Sequence, residues 1–473
     1  MRGIIISSVL CLFSAAALAA ALPEWNPNKY AAPGGGKPFV PTKNLKVEYG
    51  SYSGFPEMPE RLINNRMKLG LVDLIDASLE VNPQTRQAWD SARSSAAVWA
   101  ESRSSYYPQI NNVTTGVGGR TLPQFNQKAY LDNNLGLSWL LYDFGKRKNT
   151  AQAFMQALIG ANLQYNQAVL TTIRNVAKAY YLLIGTRALV DADEKNLDEA
   201  RVSLKAAEVK REAGVGTIAD VLQARANEAE ALYTLEYDKG QVDVAKGNLA
   251  TAVGWPANIN YDIEGSLMGI SVEKLKESID DLIDTALKNR PDLSAAFAKV
   301  KQRESELKSA QALHAPVLSG TANYDYFKQT NYNVSSYYGG ANLSIPIFTG
   351  FNITNKVREA RANLSSARDA LQISKEQVIK ETWNAHYDFV TSLRTIEAAQ
   401  ALLDSASQSY DVSFGRYKEG AADIVELMTV QSQLFKARAQ YINAKTGVHM
   451  NYTELIYAVG TGFDNPLVVE DKH

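Results

Sequence analysis

Apolar and polar positions along this chain follow several periods in a fixed order. Leu158, Ala161, Tyr165, Val169, Ile173, Val176, Tyr180 and Leu183 follow Phe154 at steps of three or four. That spacing marks one face of an α-helix. No proline occurs from Lys146 to Glu212, so one helix of about 67 residues, roughly 100 Å long, is predicted there. Its steps are mostly 4-3-4 with one extra 4, a mean near 3.6, which predicts little left-handed supercoil. Just before it, Leu135, Leu137, Trp139 and Leu141 alternate with Asn134, Gly136, Ser138 and Leu140. This is the period of a strand with unlike faces. A poorly alternating partner strand is expected over about 109–120. A helix over about 70–106 comes first, interrupted at Asn82-Pro83 and ended by Pro108. After the long helix, Gly214-Val215-Gly216 turns the chain into a returning helix of about 37 residues.

The same order then recurs. Leu74-Ile75-Asp76 and Asn82-Pro83 match Leu282-Ile283-Asp284 and Arg290-Pro291, 208 positions on, and Pro108 and Pro316 keep that offset. Leu137-Ser138 matches Leu343-Ser344, Gly214 matches Gly420, and Ala252-Val253-Gly254 matches Ala458-Val459-Gly460, each 206 positions on. Whatever one copy builds, the other is expected to build again. In the second copy Leu318, Ala322, Tyr324 and Tyr326 are expected on one strand face, as are Ala341, Leu343, Ile345 and Ile347. A long helix runs from Asn352 to Lys418 and a turn lies at Gly420-Ala421-Ala422. The expected organisation is repeat 1 over 70–254, a linker over 255–277, repeat 2 over 278–460 and a tail over 461–473. Residues 22–69, rich in Pro, Gly and Asn, read as an extended arm.

These lengths give an architecture. The two shorter helices of a repeat, end to end, match one long helix. The strands leave this rod at one end and the Gly turns lie at the other. Strands of about 10 or 11 residues suffice to cross a bilayer when tilted. Four such strands cannot close a barrel, since small membrane barrels start at about eight. Open edges in lipid would leave backbone groups unpaired. The fold class is therefore mainly α with a membrane β-barrel contribution, completed by a homo-oligomer. Closure alone permits a dimer, trimer or tetramer.

Composition narrows the function. The net charge of -1 gives no basic face for nucleic acid. Four histidines, His314, His386, His449 and His473, have no metal-ligand spacing. No phosphate-binding Gly loop, His/Cys cluster or nucleophile motif is present, so no enzyme and no cofactor is expected. Residues 1–21 read as a secretory signal, with Arg2, an apolar run and Ala-x-Ala sites at Ala17 and Ala19. The single cysteine, Cys11, lies inside it after Leu10, which does not fit a lipid-attachment site.

Several motifs, taken in order, carry a family likeness. They are Leu79-Glu80-Val81-Asn82-Pro83, Tyr107-Pro108, the run Leu137 to Gly145, and Arg211-Glu212-Ala213-Gly214 leading to Asp220-Val221-Leu222-Gln223-Ala224-Arg225. Arg416-Tyr417-Lys418-Glu419-Gly420 repeats the last. With these the chain resembles the TolC-like outer-membrane efflux proteins of Gram-negative bacteria, over about residues 70 to 462. The resemblance implies a trimer whose twelve strands, four per protomer, close one barrel in the outer membrane. Its helices would form a periplasmic tube tapering towards the Gly turns, with the linker and arm at its waist. It implies a passive exit duct for efflux or type I secretion, partnered by a periplasmic adaptor and an inner-membrane transporter. The alternative is a periplasmic coiled-coil adaptor or scaffold.

The resemblance also marks candidate sites. Asp220 and Tyr417 would join a polar network closing the periplasmic tip, although an acid in a first helical turn also serves as a cap. Ala422 stands where relatives carry arginine, leaving Asp423 and Glu426 as the other gate candidates, or as a solvated acidic helix start. Gly214, Val215, Gly420 and Ala421 are candidate adaptor-docking turns, a role that tight turning alone also explains. Leu135, Leu137, Trp139, Leu141, Leu343, Ile345 and Ile347 are candidate membrane-facing positions. Tyr324, Tyr326 and Tyr337, with Phe327, Tyr332 and Tyr338 near them, suit an interfacial aromatic girdle or a packed surface loop.

Overall fold

Both copies fold into the same series of elements. The computed structural model describes residues 68–118, 129–267, 278–329 and 332–461. The expected signal segment, the arm before Lys68, residues 268–277 of the linker and the tail after Thr461 lie outside the described residues. In the first repeat, α1 spans Leu71–Val81 and α2 spans Pro83–Ser102. A 3-10 turn at Ser104–Tyr106 leads to β1, Gln109–Val117, and β2, Tyr130–Tyr142. Then come α3, Lys146–Glu212, and α4, Ile218–Val253. The second repeat has α5, Ile279–Asn289, α6, Pro291–Ala312, β3, Val317–Gln329, and β4, Tyr332–Ser344. It ends with α7, Asn352–Glu419, and α8, Ile424–Val459. All four strands form one antiparallel sheet in the order β1-β2-β3-β4.

The long helices occupy different places. Around the strand half of the rod the packing order is α2-α3-α6-α7; around the turn half it is α4-α3-α8-α7. α3 is thus interior to the layer, while α7 lies at an edge in both halves. α7 buries Val357, Leu364, Val378, Ala385, Ser392, Ala399, Ala406 and Ser413 on one seven-residue repeat, with Thr382, Phe389, Tyr410 and Tyr417 four residues after members of that line. A sustained seven-residue repeat is the pattern of a left-handed coiled-coil seam. In α3 the steps Leu158-Asn162-Tyr165-Val169-Thr172-Val176 follow the same rhythm until the extra step to Tyr180. There the linker docks: the Tyr180 hydroxyl donates to the Glu264 carbonyl at 2.7 Å. Leu69 and Ile263 form a parallel bridge beside it, and Arg187 pairs with Asp262 at 2.7 Å.

The repeated motifs meet where the short helices stack. Asn82 holds an extended ψ of 125° because Pro83 follows. Its side chain caps α2 by accepting from Gln84 N–H at 2.8 Å and donates to the Ala252 carbonyl at 2.8 Å. Gly254 ends α4 with φ 104° directly against it; a Cβ there would lie 2.8 Å from Asn82 Cα. In the second repeat Gly460 meets Arg290 in the same way, a Cβ there falling 3.2 Å from Arg290 Cα. Here a buried guanidinium replaces the amide. Arg290 bonds Asp292 through two nitrogens, at 3.0 and 2.6 Å, and Glu381 at 2.6 Å. Burial alone would lower its pKa, but these two carboxylates outweigh that and raise it.

Candidate functional site

Strand register sorts the sheet into two faces. Directly paired residues in an antiparallel ladder point to the same side. One row is Ile110, Leu137, Ala322 and Gly339; the next is Asn112, Leu135, Tyr324 and Tyr337. Trp139, Gly320 and Ala341 continue this apolar face, and Leu141 packs over Gly320. Leu318 and Leu343 close it, and Tyr326 lies on it between Asn133 and Ser335. The opposite face carries Asn111, Asn134, Asp325, Asn323, Thr321 and Ser336. Asn134 donates to Asp325 there, and Gly136 leaves room for the Asn323 side chain. The expected unlike faces are present, with the named positions of β2 and β3 together on the apolar one.

Two expected strand positions are corrected. β4 ends at Ser344, so Ile345 and Ile347 lie beyond it. Pro346 between them has no N–H for a ladder and confines the strand. Strand lengths also differ from expectation, with nine residues in β1 and 13 in each of the others.

The run Leu137 to Gly145 builds the strand-to-helix corner. Phe144 and Gly145 both have positive φ, 50° and 93°, so the chain reverses within two residues. Asp143 is buried and caps α3: it accepts from Arg147 N–H at 2.6 Å and Gly145 N–H at 3.3 Å. The Arg147 guanidinium pairs with Asp143 at 3.5 Å and donates to the Ser105, Leu140 and Leu141 carbonyls. It lies 4.7 Å from the Tyr106 ring centroid. Trp139 Nε1 donates to the Tyr106 carbonyl at 3.1 Å. Arg147 was not singled out in the sequence, where only its position four residues after Asp143 pointed to it.

At the far end the two turns sit side by side. Gly214 and Gly420 have φ of 76° and 80°, with nothing within 4 Å of where a Cβ would lie. Asp220 and Thr217 form a reciprocal cap: Thr217 N–H donates to the Asp220 carboxylate at 2.8 Å, and Asp220 N–H to the Thr217 hydroxyl at 3.2 Å. Asp423 caps α8 by accepting from Glu426 N–H at 2.7 Å. Glu426 pairs with Arg416 at 2.6 Å. Tyr417 is buried among Val221, Ala224, Tyr410, Ile424 and Leu427. Burial, then the nearby negative charge of Asp220, raises its phenol pKa. Lys210 crosses from the first repeat, donating to the Tyr417 carbonyl and lying 4.1 Å from its ring centroid. Arg416 is its repeat counterpart, yet it stays within its own turn. The tip therefore gathers Asp220, Tyr417, Lys210, Arg416, Asp423 and Glu426; Lys210 is absent from the sequence candidates, and Arg416 enters there only as part of the Arg416–Gly420 motif. Val215 is 77% exposed beside the first turn.

Comparisons with known proteins agree with this geometry. The family model described as outer membrane efflux protein matches residues 74–255 and 282–461. Protein CyaE of Bordetella pertussis is 24% identical over 402 residues, covering 83% of this chain and 84% of that protein. Outer membrane protein TolC of Escherichia coli is 23% identical over 406 residues, covering 80% of each. Among solved structures, CusC superposes with a TM-score of 0.75 at 19% identity, covering 87% of this chain and 99% of that one. The outer-membrane channel OprN gives 0.74 at 18%, covering 87% and 94%. Both structures share the fold. Members of this family are channels rather than enzymes. The matched segments are the two repeats seen in the sequence, and the chain belongs to the outer membrane efflux protein family, as an outer-membrane channel whose helices reach into the periplasm.

Proposed function

We propose that three copies of this chain close one twelve-stranded barrel and one helical tube, a passive exit duct for efflux or type I secretion. A periplasmic adaptor and an inner-membrane transporter partner it. The observation that carries this reading is the pair of open edges on each protomer. β1 and β4 bound the sheet, and unpaired strand edges are untenable in hydrocarbon. On the helical part, α7 presents Ile379, Trp383 and Tyr387 at four-residue spacing. The opposite edge, α4, presents Leu222, Tyr233, Tyr237 and Val244. Two different edges joined head to tail close a ring when the rotation matches. Leu135, Leu137, Trp139, Leu141 and Leu343 would then face lipid, with Tyr324, Tyr326 and Tyr337 towards the hairpin tips as an aromatic girdle. The polar face would line the lumen.

The turns form the adaptor end. Gly214 and Gly420 leave bare backbone beside Val215 and Ala421, which suits close approach by a partner. Asp220, Tyr417, Asp423 and Glu426 form the gate, with Lys210 fastening the two repeats to each other. A periplasmic adaptor or scaffold fold is disfavoured, because both repeats contribute strands to one sheet with a continuous apolar face.

Native mass spectrometry of the detergent-extracted protein should give three copies per particle; two or four would overturn the stoichiometry. Asp220→Ala, Tyr417→Phe and Lys210→Met should each raise single-channel conductance in a planar bilayer. Unchanged conductance in all three, with the oligomer intact, removes the gate assignment.

A further inference from the structure

Just below the apolar face of the sheet, α2 and α3 leave an open cleft of about 290 Å³. Trp99, Arg103 and Tyr106 form one wall; Lys148, Gln152 and Met155 form the other. Both sets follow the three- and four-residue spacing that brings side chains onto one helical face. The Arg103 guanidinium stands 5.7 Å from the Trp99 ring centroid. Arg103, Lys148 and Tyr106 are all exposed.

The cleft touches the apolar face at one point, Tyr106. The Tyr106 carbonyl accepts from the Trp139 indole, and Trp139 belongs to the apolar row beside Gly320. The cleft therefore sits where apolar sheet gives way to charged helix. At that depth a bilayer presents phosphate headgroups. Tryptophan and tyrosine settle at this boundary, and arginine and lysine recognise phosphate through charge-assisted hydrogen bonds. The fold does not impose this set: the second repeat carries Leu307, Gln311 and His314 where the first has Trp99, Arg103 and Tyr106.

We propose that the α2–α3 cleft binds the phosphate headgroup of a glycerophospholipid from the periplasm-facing leaflet. Arg103 and Lys148 hold the phosphate, Trp99 and Tyr106 flank the glycerol region, and the acyl chains lie along Trp139 and Leu141. Such a lipid fixes how deep the sheet sits in the membrane. The inference rests on the reading that the apolar face meets lipid.

The test uses the full-length oligomer in mild detergent, with lipid retention read by native mass spectrometry. Dioleoylphosphatidylglycerol is the probe, dioleoylglycerol the phosphate-free control, and inorganic phosphate the competitor. The wild-type protein should retain the phospholipid, and R103Q/K148Q should retain it about tenfold more weakly. R103K/K148R should restore retention, and the phosphate-free lipid should not be retained. Equal retention by R103Q/K148Q, or equal retention of dioleoylglycerol, overturns the headgroup site. Displacement by millimolar inorganic phosphate would instead mean a site for a free anion, and also overturns it. Failure of the wild-type protein both to insert into vesicles and to retain lipid would refute the lipid-facing reading itself.

Discussion

The junction between α4 and the α1–α2 kink can be probed by adding a single methyl group. Gly254→Ala forces alanine into φ 104° and places its Cβ 2.8 Å from Asn82 Cα and 3.3 Å from Asn82 N. Both neighbours are backbone atoms, so neither can swing away. Gly214→Ala is the control. Its φ is 76°, but nothing lies within 4 Å of the added Cβ. Left-handed backbone costs a residue with a Cβ about 1–2 kcal/mol, and both variants carry that strain. Overpacking at a rigid contact adds about 1–3 kcal/mol, and only Gly254→Ala carries this. Opening the junction would also stretch the Asn82-to-Ala252 hydrogen bond, about 1 kcal/mol more. The expected gap between the variants is therefore about 2–4 kcal/mol. In a chain of this size each kcal/mol moves Tm by about 1–2 °C. Circular dichroism melts of the solubilised oligomer should place Gly254→Ala several degrees below Gly214→Ala. Equal melting temperatures would refute the claim that the two short helices abut rigidly, and with it the account of why this motif recurs.

Two further predictions follow from the sheet and the periplasmic helices. Leu137→Arg should destabilise the membrane-inserted oligomer by about 2–4 kcal/mol, whereas Ser138→Arg on the polar face should cost far less; denaturant titration in vesicles compares them, and equal costs would remove the distinction between faces. Asp193 is buried on α3, and burial, then the neighbouring Asp238 carboxyl, raises its pKa to about 6. A raised carboxyl pKa favours the protonated form, so its contribution is full below the ordinary Asp value and is lost as pH rises through about 6. The wild type should lose on the order of 2 kcal/mol between pH 4 and 7 at this site, seen as a falling Tm. Asp193→Asn should flatten that slope; an unchanged slope assigns it to other groups.

Much of this molecule is written locally. The span of α3 could be read from the absence of proline and the three- and four-residue spacing, because both act through contacts within one or two turns. The corner at Phe144-Gly145, the caps at Asp220 and Asp423, and the turns at Gly214 and Gly420 are likewise short-range. Even the unlike faces of β2 follow from alternation alone. The duplication added that the second half repeats the first.

What only the tertiary structure decided is how equal copies come to differ. α3 and α7 match in length and rank in their repeats, yet the packing order makes α3 interior and α7 an edge with an open apolar stripe. The interior place of α3 depends on long-range contacts such as Thr150 with Ser309 and Glu199 with Arg438, 159 and 239 positions apart, which no local period encodes. Gly254 looks like an ordinary helix stop until Asn82 is seen against it. Lys210 and Arg416 are repeat equivalents, but Lys210 reaches across to the Tyr417 carbonyl while Arg416 pairs with Glu426 in its own turn. Ile345 and Ile347 keep the alternation of β4, yet Pro346 removes the ladder that would have used it. A period specifies which side of an element turns inward; which neighbour it meets is set by close packing over the whole chain.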